Sequence, residues 1–321
     1  AKKPVGTPMT LNLPQSLAAE TIGIEFVPAV QAGETRDEAR QRIRSIFIHV
    51  NLMAVPLSKG QLALLDEDDG FSIITRQLAV THPLLREEPG RNPRINWDSA
   101  TVATKSTVLT TLQALKDMAQ RYLCYKFPSW HPAADTGLIP LRPNPDELAE
   151  GLAAFGQLFD GLGSLPSYRR IDQGWETPKL RRFSFEKDGG EGNLLFRPIG
   201  QMAMAQALGL LIYRQKAEIE VVFEKLRRYD TSGGFSHMEG PESLWYGVLY
   251  DPNKRRVRVA GRDLAAKLLV YLLGGMGDRM ERAQLRNALA DARTFENKAV
   301  SFEGRFVPPK EVGLPALIVE S

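Results

Sequence analysis

The chain has 321 residues, 43% hydrophobic and 25% charged, the balance of a globular protein with one or two cores rather than a disordered one. Lys and Arg number 41 against 38 Asp and Glu, so the net charge of +3 announces no polyanionic partner by itself. The single cysteine, Cys124, excludes an intrachain disulfide and a Cys-based zinc site; no window holds the ~20 apolar residues of a membrane helix.

In chain order, residues 21–30 alternate Ile22, Ile24 and Phe26 and predict a strand. Thr35 and Glu38 have capping-box spacing, so a helix is expected from there to Asn51, with Ala39, Ile43, Ile46, Phe47 and Val50 on one face. Arg36, Arg40 and Arg44 stripe the other face and read as solvated. Ser58 and Gln61 repeat the capping spacing before a short helix to Leu65. The acidic run Asp66, Glu67, Asp68, Asp69 lacks the Gly and distal Glu of a calcium loop and suits the start of a helix over 71–80. A loop follows at 86–96, then a long helix predicted over 103–125.

Five prolines between 127 and 145 mark the expected division of the chain. On that reading 1–126 is an N-terminal core portion, 127–145 a linker, 146–306 a helical C-terminal region and 307–321 an extended tail. Further helices are expected near 145–161, 197–213, 215–229, 261–273 and 278–293, with a short strand at 255–259. The fold class is mainly α with a small β component (α+β). No apolar segment follows the basic start, so no signal peptide is expected and the location reads as cytoplasmic.

Charge placement carries more than net charge. Between Pro252 and Arg262 stand five cations (Lys254, Arg255, Arg256, Arg258, Arg262) and no acid. Such a cluster neutralises a phosphate backbone and releases its counterions, although Lys and Arg also guard solvated strand edges. Residues 168–187 hold six cations (Arg169, Arg170, Lys179, Arg181, Arg182, Lys187) against three acids, interleaved with Tyr168 and Trp175. That mixture suits phosphate contact with stacking; the plain alternative is a surface loop whose aromatics dock on the body. Trp245 and Tyr246 read as core. The glycines at 189, 190 and 192 lack the Lys-Ser/Thr of a phosphate loop. No hydrolase or zinc-protease motif is present, so no catalytic residue is assigned and these 321 residues are expected to hydrolyse neither ATP nor phosphodiester bonds.

Three stretches carry a family likeness. Ile46-Phe-Ile-His-Val-Asn51 precedes Pro56-Leu-Ser-Lys-Gly-Gln61 and the acidic run; Ile95-Asn-Trp-Asp-Ser99 leads to Thr107-Val-Leu-Thr-Thr-Leu-Gln-Ala-Leu115; and Leu226-Arg-Arg-Tyr-Asp230 precedes Leu244-Trp-Tyr-Gly247 and the segment 264–273. In this order and spacing they resemble the DGQHR-domain family of DNA sulfur-modification (phosphorothioation) proteins, the DndB-like proteins, over roughly residues 20–125 and 195–275. The Asp-Gly-Gln-His-Arg signature itself does not occur in the chain.

The resemblance implies a ParB-like strand and helix followed by a helical region. It also implies a DNA-binding regulatory or accessory role, as a repressor of the modification genes. The implied partners are double-stranded DNA, other DNA-modification proteins and a second copy of the chain, with a nucleoid-associated location in bacteria and no membrane. The alternative it raises is a ParB-like nucleotide hydrolase or DNA-nicking enzyme whose motif lies upstream, with ATP as its cofactor and Asn51 and Ser58 as nucleotide-binding residues. No metal is expected.

Overall fold

The computed structural model describes residues 28–54, 59–132 and 140–318. Residues 21–27 of the expected strand and Ser58 fall outside this set. The chain forms two compact units, residues 1–43 and 44–321.

Thr35 closes the expected capping box: its amide donates to Glu38 Oε2 at 2.8 Å, and the Glu38 amide returns to Thr35 Oγ1 at 3.3 Å. The helix it opens, α1, spans Arg36–Ala54, so it passes through Asn51 instead of ending there. Within the first unit Arg42 donates to Glu34 at 2.8 Å, and that bond holds the Glu34 carboxyl down at about 2.

The second unit is mainly helical. It comprises α2 Lys59–Leu65, α3 Gly70–Thr81, α4 Leu112–Leu123, α5 Pro145–Gly163, α6 Pro166–Asp172 and α7 Thr177–Arg181. Then come α8 Pro198–Gly209, α9 Ile219–Thr231, α10 Arg262–Leu272 and α11 Arg279–Ala292. Strands are short. β1 (Ile95–Asn96) and β2 (Thr110–Thr111) are parallel, β3 (Tyr250–Asp251) and β4 (Arg256–Val257) form an antiparallel hairpin, and β5 (Thr294–Phe295), β6 (Lys298–Val300) and β7 (Phe306–Val307) form an antiparallel sheet. The expected fold class therefore holds.

The acidic run works as a helix start. Asp66 Oδ1 accepts the amides of Asp68 and Asp69, and Asp69 caps α3 through the Phe71 amide. Glu67 is buried under three arginines, Arg44, Arg76 and Arg142. Arg40, in turn, lies exposed near Asp37 at 3.9 Å.

α8 is apolar all round and sits in the centre, packed between α4 and α10. At the α4 crossing a Cβ on Gly209 would stand 2.5 Å from the Tyr122 carbonyl oxygen, so only glycine lets the backbones approach this closely. Past Gly209 the helix widens into a π turn, Leu210–Arg214.

Three expectations change. The predicted helix over 103–125 is confined to α4, because residues 103–111 are rich in Ser, Thr and Val and Thr111 caps the helix by accepting the Ala114 amide at 3.0 Å. The Pro-rich stretch does not divide two cores. Phe127 and Trp130 stack at 4.4 Å, Trp130 fills the spaces left by Gly70 and Gly151, and α3 on one side packs on α5 on the other. The tail after 307 is docked: the Tyr271 hydroxyl donates to the Pro315 carbonyl at 3.0 Å and the Ile318 amide to the Leu272 carbonyl at 2.9 Å. Trp245 is core, as expected, with Nε1 donating to the Gly234 carbonyl at 2.6 Å.

Candidate nucleic-acid interface

The hairpin that presents the cations is built by its acid. Asp251 Oδ1 accepts the Asn253 and Lys254 amides, both at 3.1 Å, folding the Pro252–Lys254 corner back on itself. Tyr250 pairs with Val257 and Asp251 with Arg256, and Arg255 between them takes a left-handed φ of 49°. Lys254, Arg255 and Arg256 are exposed at this tip, and among the described residues none has a carboxylate within salt-bridge reach. The other two cations of the run are engaged. Arg258 donates to the Gly247 carbonyl at 2.9 Å, and Arg262 pairs with Asp263 at 3.0 Å.

The cations of the second basic segment do not share one surface. Arg181 is 1% exposed and touches no phosphate-accessible surface. Its Nε donates to the Phe196 carbonyl at 2.7 Å, Nη1 to the Ser106 and Ala103 carbonyls at 2.6 and 3.3 Å, and Nη2 to the Val108 carbonyl. Arg181 is thus an internal strut tying α7 to the 103–108 strand-entry segment and to residue 196, and it leaves the candidate set. Burial pushes its guanidinium down to about 10, with the Arg197 charge adding to the effect.

Arg170 is ion-paired to Glu191, and Arg182 to Asp188 at 3.3 Å. Trp175 is half-buried between Arg170 and Lys179, whose ammonium stands 4.5 Å from the ring centre. The acids that close this loop are therefore Glu191 and Asp188. Arg169, Lys179 and Lys187 remain exposed, with no carboxylate within 4.0 Å among the described residues.

The two basic segments meet through aromatic rings that composition alone did not single out. Arg197, buried at the start of α8, lies 4.1 Å from the Phe183 ring centre. Phe183 stacks on Phe185 at 5.2 Å with planes 21° apart, and the Arg255 guanidinium lies 4.1 Å over Phe185. Tyr250 meets Phe183 edge-on at 5.0 Å. Cation, ring, ring and cation thus run from the interior to the hairpin tip. Nearby acids are spent on backbone: Glu186 accepts the Phe183 amide at 2.7 Å and Glu239 the Ser184 amide at 2.8 Å. The sequence signal for this ladder was the pair of rings at 183 and 185 beside Arg181 and Arg182.

The side chain of Asn51 and all of Ser58 lie outside the described residues. Among the described residues no three His, Cys, Asp or Glu side chains converge as a metal requires, and no helix is long and apolar enough to cross a membrane. A cleft of ≈ 690 Å³ lies beside the π turn, where Tyr125, Arg214, Asp263, Lys267 and Glu281 stand among apolar residues such as Leu210, Leu264 and Val270. No protein-family model, no curated protein and no solved structure matches the chain.

Proposed function

We propose that this protein binds double-stranded DNA through the tip of the β3–β4 hairpin and the exposed cations of residues 169–187. The observation that carries the reading is the cluster of Lys254, Arg255 and Arg256, exposed, with no carboxylate within 4.0 Å of any of the three among the described residues, and set on an aromatic base. Exposed cations that are not held in ion pairs release condensed counterions when they contact phosphates, and that release supplies most of the affinity. Arg169, Lys179 and Lys187 extend the basic surface, while Arg181 supports it from inside. The resemblance to DndB-like proteins supplies the biological setting: regulation of DNA phosphorothioate-modification genes by a bound repressor or accessory protein.

Fluorescence anisotropy with labelled duplex, titrated across salt concentrations, checks the binding. The expected log–log slope is about −3 to −5, corresponding to three to six neutralised phosphates. Duplex from upstream of the modification genes should bind at least about tenfold tighter than scrambled duplex. A slope near zero would remove the electrostatic basis of the proposal.

A further inference from the structure

We infer that the Phe185–Arg255 pair is a stacking platform for an unpaired nucleobase, so that the site favours DNA in which a base has left the stack. The inference rests on the DNA-binding reading and adds to it the kind of DNA preferred.

A charged surface made for phosphate alone needs no aromatic ring. Here a phenylalanine remains 41% exposed at the junction of two basic segments. Its companions are buried: Phe183, Tyr250 and Arg197 form the inner part of the ladder and hold Phe185 from behind. The ring is therefore a braced surface with a fixed orientation. Arg255 covers it at 4.1 Å, and the left-handed backbone at Arg255 sets that placement through the turn.

Aromatic rings and guanidinium planes are the two groups on which proteins lay splayed bases. Arg255 sits where a base could stack on its outer side or take its place on Phe185. Lys254 and Arg256, its neighbours in sequence, are exposed and available to the phosphates on either side of such a base. An intact duplex presents only base edges in its grooves, so it can use the cations but not the ring. A strand with an unpaired base uses both.

The experiment compares three probes: a duplex, the same duplex with an unpaired central bubble, and one of its strands alone. Wild type, Phe185→Ala and Phe185→Tyr are measured by anisotropy at one low salt concentration, with thermal melting of each variant as the folding control. Wild type is expected to bind the bubble at least about fivefold tighter than the duplex. Phe185→Ala should bring that ratio close to one, and Phe185→Tyr, which keeps the ring face, should restore it. Equal binding of bubble and duplex by wild type, or an unchanged ratio in folded Phe185→Ala, overturns the inference while leaving duplex binding intact. Failure to bind any of the three probes overturns the DNA-binding reading as well.

Discussion

Replacing Arg181 with alanine is expected to destabilise the protein by at least about 3 kcal/mol, because buried acceptors lose their donor and a cavity opens. Four carbonyl oxygens, at Ala103, Ser106, Val108 and Phe196, accept from this guanidinium, and the side chain is almost completely enclosed. Arg197 adds to the dependence, since its Nη2 donates to the Arg181 carbonyl at 2.6 Å. Arg181→Lys should restore little, for an ammonium has three donors and no planar fork to span carbonyls on separate segments. Chemical denaturation followed by circular dichroism measures the loss. The folded fraction of either variant should bind DNA as wild type does. A variant of normal stability with weakened DNA binding would return Arg181 to the surface role that its place in a basic run suggests.

Gly261→Ala is the other large expected effect. The glycine ends the short turn Val259–Gly261 that joins the hairpin to α10, and a Cβ there would lie 1.7 Å from the Val248 carbonyl oxygen. The obstacle is backbone, so no side-chain rotation relieves it. Either the turn or the 248–249 segment must move, at a cost of roughly 2–4 kcal/mol. Because β4 leads directly into this turn, the variant should also loosen the register of β3 with β4. Melting temperature and amide hydrogen exchange across 247–261 test the two parts. Unchanged protection at Arg258, whose amide donates to the Leu249 carbonyl at 2.7 Å, would show that the hairpin tolerates the shift.

The sequence was legible where local chemistry decides the structure. The Thr35–Glu38 capping box, the acidic entry to α3 and the helices α5, α10 and α11 all appear close to where they were expected. It was less legible where tertiary contacts decide. A Lys-Leu-Arg-Arg run in a polar stretch reads as surface, yet the five-residue α7 turns both Leu180 and Arg181 inward because distant carbonyls wait for the guanidinium. The apolar pattern of α4 runs back through Val108 and Leu109, but a turn at Ala103–Ser106, the pairing of Thr110 and Thr111 with β1 and the bonds from Arg181 keep residues 103–111 out of the helix. Prolines between 127 and 145 suggested a linker between two regions, and Trp130, seated against Gly70 and Gly151, makes the start of that segment part of the core. For the candidate site, periodicity identified the cations but could not say which were paired. The Arg197–Phe183–Phe185–Arg255 ladder joins residues far apart in the chain, and no spacing rule brings them together.

The central claim is that unpaired cations at the hairpin tip hold DNA phosphates. Its most direct test is the salt dependence of duplex binding by wild type and by the triple variant Lys254→Gln, Arg255→Gln, Arg256→Gln. Each lost phosphate contact removes about 0.9 from the log–log slope, so the variant should be flatter by roughly 2–3 and weaker on every sequence alike. Equal slopes in two folded proteins would contradict the account.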